Sequence, residues 1–96
     1  MSDVVAGAVE RLNAKMGGEG FDGTAKFVIE DEGAVMIDQS GAHAGDEPAD
    51  VTLTASRETF EGMLNGEENA TAAYMSGRLK VDGDMGAAMR LSGLLS

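Results

Sequence analysis

One histidine and no cysteine leave this chain few residues with which to do chemistry. His43 sits in a Gly/Ala-rich run with Asp46 and Glu47 close behind it. A zinc site needs more His or Cys donors than this, so His43 reads as a solvated loop side chain. A Ser-His-acid triad would have to recruit the same histidine as its base, and no serine stands in a nucleophile-elbow pattern. The carboxylate pairs Asp31/Glu32 and Glu67/Glu68 fall where turns are expected. Asp82-Gly83-Asp84 has the flavour of a calcium loop but lacks the downstream glutamate that completes one, so a turn and a helix cap explain it. Gly18-Glu19-Gly20-Phe21-Asp22-Gly23 spells G-x-G-x-x-G, but here it follows a helix and precedes a strand. A dinucleotide fingerprint has the opposite order, and Glu19 and Asp22 would repel phosphate, so this reads as a flexible connector. Asn69-Ala70-Thr71 is a glycosylation sequon in spelling alone. No catalytic residue, metal or cofactor is expected.

The composition narrows the partners. The 96 residues, 1–96, suit a single small domain. They carry a net charge of −10 and no basic cluster, which excludes a nucleic-acid reader. The same charge opposes an anionic membrane surface, and no run is long and apolar enough for stable membrane insertion. The N-terminus lacks the pattern of a secretory leader, so the expected location is cytoplasmic. Only 4% of residues are aromatic, and seven are methionine, so flexible, polarizable side chains must fill much of the interior.

The elements follow from periodicity. Val5, Ala8, Val9, Leu12 and Met16 share one helical stripe over 3–16, stopped by Gly17-Gly18. Period-2 alternation marks strands at 24–31, 34–39, 50–55 and 78–82, with a fifth short strand or loop within 41–47. Ser56 is placed to cap a helix carrying Phe60, Met63 and Leu64, a short helix follows over 69–75, and Asp84 can cap a last helix to about Leu95. Lys26, Glu30, Thr52, Thr54, Arg78 and Lys80 alternate against Phe27, Ile29, Leu53, Leu79 and Val81. One sheet face is therefore wet, with Lys26, Thr52, Thr54 and Lys80 exposed, and the other is covered by helices, as in a two-layer α+β sandwich.

The second half holds an ordered set of blocks: Ala49-Asp50-Val51-Thr52, the capped helix with Phe60 and Met63-Leu64, Gly77-Arg78-Leu79-Lys80-Val81-Asp82-Gly83-Asp84, and Ala87-Ala88-Met89-Arg90-Leu91. Together they resemble the sterol carrier protein type-2 family, with its A-D-x-T strand, its G-x-L-K-[IV]-x-G-[DN] strand and turn, and its small-residue closing helix. The resemblance implies a mixed five-stranded sheet, helices on one face, and an elongated apolar cavity between the layers. It also implies non-catalytic binding of a sterol, fatty acid, fatty acyl-CoA or phospholipid. The Trp common in the second strand is replaced here by Val35-Met36.

The last helix agrees from the residues themselves, being apolar around most of its circumference with Arg90 as its one charge. It reads as a mobile wall of a lipid tunnel, or as a surface for a homodimer or partner enzyme. Expected tunnel walls are Phe27, Ile29, Ile37 and Leu53 from the sheet, with Phe60, Met63, Leu64, Tyr74, Met85, Met89 and Leu94 from the helices. The competing reading is a structural or dimerisation domain whose cavity is filled by its own methionines.

Overall fold

A computed structural model describes residues 3–17 and 20–95. The chain runs α1 (Asp3–Met16), β1 (Ala25–Ile29), β2 (Gly33–Asp38), β3 (Gly41–Ala44), β4 (Val51–Ala55), α2 (Arg57–Asn65), α3 (Ala70–Met75), β5 (Leu79–Gly83) and α4 (Met85–Leu95). The strands form one sheet in the order β3-β2-β1-β4-β5. Only the β1–β4 pair is parallel, which makes the sheet mixed. Among the described residues, helices cover one face and none covers the other, so the structure has the two-layer α+β arrangement with a five-stranded sheet.

Register decides the sidedness. Phe27 stands opposite Val35 on β2 and Leu53 on β4, and Leu53 in turn opposes Val81 on β5. Side chains alternate along each strand, so these residues share the helix-facing side while Lys26, Thr52 and Lys80 share the other. At the centre, the Phe27 ring meets Phe60 of α2 with centroids 4.5 Å apart and planes tilted by 57°. A tilted pair at this distance adds about 0.5–1.5 kcal/mol beyond the area it buries. Val5, Ala8, Leu12 and Met16 of α1 complete this core.

The helices begin and end at their local capping signals. Ser56 accepts a hydrogen bond from the Thr59 amide, and α2 ends at Gly66, whose φ of 80° lets its amide reach back to the carbonyls of Gly62 and Met63. Asn69 accepts from the amides of Thr71 and Ala72, and Asp84 from those of Gly86 and Ala87. Asp50 ties three strands together. Its carboxylate accepts from the Thr24 amide, its own amide donates to Thr24, and its carbonyl accepts from the Asp84 amide. The approach leaves no room beyond a hydrogen at Gly83, where a Cβ would lie 2.4 Å from the Asp50 carbonyl oxygen.

The outer face departs from expectation in one region. Lys26 was expected to be exposed, but only 18% of its side chain is, and it forms a 2.9 Å ion pair with Asp46. The cause is the link from β3 to β4, which crosses this face. Gly45 presses on Met36 and buries it there. Thr52 and Thr54 are likewise half-buried, while Lys80 is exposed as expected. The connector after α1 is also less free than its glycines suggest. Phe21 is buried, its amide donates to Asp38, and Arg90 of α4 lies over its ring. Gly18 and Glu19 lie outside the described residues.

The β3 edge is closed by a side chain. Asn13 of α1 accepts from the Ala42 amide at 2.8 Å and donates to the Ala42 carbonyl at 2.9 Å, as a neighbouring strand would. Asn13→Ala leaves both partly buried groups unpaired and should cost about 1–3 kcal/mol. Urea unfolding of the two proteins checks this, and an unchanged midpoint would show that water replaces the amide without loss.

Candidate functional site

Among the described residues, an apolar space lies at the β5 edge of the helix-covered face. It is an open groove of about 280 Å³ between the sheet and helices α3 and α4, lined by Leu53, Ala70, Thr71, Tyr74, Leu79, Val81, Met85, Ala88 and Met89. Local structure puts each residue there. Leu53, Leu79 and Val81 are the inward positions of paired strands β4 and β5. Ala70, Thr71 and Tyr74 lie on one face of α3 at helical spacing, and Met85, Ala88 and Met89 do the same on α4. Helix α4 turns Ala87, Ala88 and Leu91 into the protein and leaves Met85 and Met89 46% and 74% exposed. Two methionines of such exposure flanking an apolar trough can move over whatever occupies it.

Four of the expected wall residues meet here: Leu53, Tyr74, Met85 and Met89. Six others do not line this groove. Phe27, Ile29, Ile37, Phe60, Met63 and Leu64 are buried in the main core. At the centre of the sandwich, Phe27 and Phe60 pack against each other. Leu64 also borders a second, more polar cleft of about 210 Å³ between α1 and α2, with Arg11, Arg57 and Glu61 on its walls. The side chain of Leu94 lies outside the described residues. The expected set omitted Ala70, Thr71, Leu79, Val81 and Ala88. Val81 was assigned to the covered face yet is half-buried, because α3 and α4 part above it. Alternation marked Val81 as inward, but nothing in the local pattern shows that its cover is incomplete.

The charged groups nearby are already engaged. Arg78 pairs with Glu68 and also donates to Ser76. Arg90 reaches Phe21 and the Asp22 carbonyl instead of the groove. Among the described residues no cluster of His, Asp or Glu could hold a metal ion, and no helix is long and apolar enough to cross a membrane.

His43 lies at the other end of the sheet, on β3, not in a loop. Its Nε2 is 3.1 Å from Asp38 Oδ2. That hydrogen bond raises the His43 pKa above its ordinary 6.5 and, with the Ser40 amide, lowers that of Asp38 below 3.8.

Comparison with known proteins places the whole chain. The profile of the SCP-2 sterol transfer family matches residues 6–96. Hydroxysteroid dehydrogenase-like protein 2 of Xenopus tropicalis is 33% identical over 96 residues, covering 92% of this chain but only 23% of that protein. Among solved structures, the sterol carrier protein domain 2 of Helicoverpa armigera superposes with a TM-score of 0.76 at 25% identity, covering 96% of this chain and 85% of that one. Aedes aegypti sterol carrier protein-2, solved in complex with the C16 fatty acid palmitate, gives a TM-score of 0.77 at 17% identity and covers 100% and 97% of the two chains.

The His43–Asp38 pair has a definite pH signature. The folded protein holds the His43 proton more tightly than the unfolded chain does, so this contribution is complete below about pH 6.5 and is lost as pH rises through the raised folded pKa. The Asp38 contribution is present above about pH 3.8 and is lost as pH falls through its lowered folded pKa. The His43 side chain is 48% exposed, so solvent keeps the effect small. His43→Ala should change stability by no more than ~0.5 kcal/mol and leave ligand binding unaltered. NMR titration of His43 should show a midpoint above 6.5; one at or below it would mean that the pair does not form in solution.

Proposed function

Since the chain belongs to the SCP-2 sterol transfer family, we propose that it binds one aliphatic lipid chain in the groove between β5, α3 and α4, and carries or presents it without acting on it. The observation that supports this most directly is the groove's wall. Nine side chains line it, and only Thr71 and Tyr74 offer a polar atom. A wall of this kind recognises hydrocarbon and has nothing with which to attack it. The chemistry-bearing His43 is held at the opposite edge of the sheet. The Aedes aegypti protein with palmitate bound supports the reading, because a chain of the same fold there holds an aliphatic ligand.

The energetics set what the groove must do. Half-covering a medium-length acyl chain removes about 150–200 Å² from water, which at about 25 cal/mol per Å² gives about 4–5 kcal/mol. That corresponds to about millimolar affinity even before ordering costs are subtracted. Micromolar binding needs a fuller cover, which Met85 and Met89 supply by folding over the chain. In the related Xenopus protein the matched region is 23% of the length, and we propose that the receiver of the ligand here is an enzyme partner or a neighbouring domain.

Delipidated protein should take up a pyrene-labelled acyl methyl ester saturably, at about one per chain. Ala88 is buried at the groove floor. Ala88→Leu should therefore fill the groove and weaken uptake about tenfold with little change in melting temperature. In a packed core the same change would overpack and cost about 1–3 kcal/mol. Met89→Asp, at an exposed rim position, should weaken uptake by a similar factor without touching the core. No saturable uptake by the parent protein would sink the proposal, as would a large drop in melting temperature in Ala88→Leu with uptake unchanged.

A further inference from the structure

The rim of the groove says which end group its ligand carries. We infer that the groove selects a single aliphatic chain ending in an uncharged hydroxyl- or ester-type head, and discriminates against a free carboxylate or phosphate. This rests on the groove being the lipid site and concerns only the head.

A cation beside the rim would favour an anionic head, and among the described residues the basic side chains are engaged or placed elsewhere. Arg78, which directly precedes the inward Leu79, is engaged with Glu68 and Ser76. Lys80 alternates with Leu79 and Val81 and so belongs to the outer face of the sheet. Arg90, although it follows Met89 directly, lies over Phe21 and donates to the Asp22 carbonyl. The other basic side chains belong to α1, to α2 and to the outer face at Lys26.

The helix starts at the groove are capped by side chains of the protein. Both α3 and α4 begin beside it, and a helix N-terminus would ordinarily attract negative charge. In α3 the Asn69 side chain takes the amides of Thr71 and Ala72. In α4 the Asp84 carboxylate takes those of Gly86 and Ala87, directly before Met85 of the groove wall. The second N-terminus thus already carries an anion of the protein's own. A ligand carboxylate would approach that charge within a molecule of net charge −10.

What the rim does offer is two hydroxyls. Thr71 and Tyr74 lie three residues apart on α3, which puts them on the same face of the helix, and both line the groove. Each hydroxyl can donate and accept, which suits an alcohol or ester oxygen and gives a carboxylate no compensating charge.

Matched ten-carbon ligands test this by displacement of the pyrene ester at pH 7.5: decanol, decanoate and decylammonium. Decanol should bind at least about tenfold more tightly than decanoate. The Thr71→Val/Tyr74→Phe double variant should lower decanol affinity about threefold to tenfold, the usual worth of a hydrogen bond or two. Asp84→Asn, which keeps an N-cap side chain, should strengthen decanoate binding and leave decanol unchanged. Decanoate binding as tightly as decanol would overturn the inference while leaving the groove as the lipid site. Decylammonium binding tightest, with the double variant unaffected, would overturn it too, since the acidic field alone would then set the preference. Displacement by none of the three would refute the proposed function itself.

Discussion

The parallel pairing of β1 with β4 is the constraint on which the rest of the molecule hangs. It places Phe27 beside Leu53 and Ile29 beside Ala55 in the middle of the sheet. Two antiparallel partners, β2 and β5, then extend that face outwards in a register that keeps every inward side chain inward. A slip of one residue at this seam would turn Lys26 or Thr52 towards the helices and expose a phenylalanine. The seam is held at one end by the reciprocal bonds of Thr24 and Asp50, and at the other by the Glu30 amide donating to the Ala55 carbonyl. Asp50 is thus a structural residue. Its place in the A-D-x-T block is explained by three backbone connections, with no ligand needed.

With sheet sidedness settled, α4 follows from small residues. Ala87 lets the helix settle close to the sheet, and Leu91 fills the space further along. The cost of this close approach is that little of the helix's apolar surface is spent on the core. Met85 and Met89 remain on the groove side, largely exposed. An unbranched thioether side chain has the rotamer freedom to lie flat on a ligand or retract from it. The apolar surplus noted along α4 and the openness of the groove are therefore one property.

The parts legible from sequence were those set by short-range rules. Alternation placed Phe27, Leu53 and Leu79 inside, and hydroxyl and carboxylate caps placed the starts of α2 and α4. The misses share a cause, which is contact between segments far apart in the chain. Asn13 lies on the exposed side of α1 by its period, and only the tertiary fold shows that its amide completes the edge of β3. Lys26 is half-covered because the β3–β4 link happens to cross above it, and Phe21 is buried in what looks like a flexible glycine-rich run. Of the expected wall residues, Leu53, Tyr74, Met85 and Met89 line the β5-edge groove, while Phe27 and Phe60 pack against each other, a difference that hydrophobicity and sidedness alone do not show.

The position of the groove follows from how the two edges of the sheet are covered. At the β3 edge, α1 is fourteen residues long, about 21 Å, and spans its strand with room to spare. At the β5 edge the cover is α3, six residues and so about 9 Å long, set against a five-residue strand of about 17 Å. Ala73 alone of α3 is buried, which shows how little this helix contributes to the core. Half of β5 is therefore left for α4 to cover, and α4 is tethered towards the sheet centre by Ala87 and Leu91 and towards the connector by Arg90. A gap over Val81 is the geometric remainder. Lengthening α3 by a turn would close it and complete an ordinary core. The shortness of this helix, set by the Asn69 cap at its start and Gly77 just beyond its end, is the feature that keeps an apolar groove open in a protein this small.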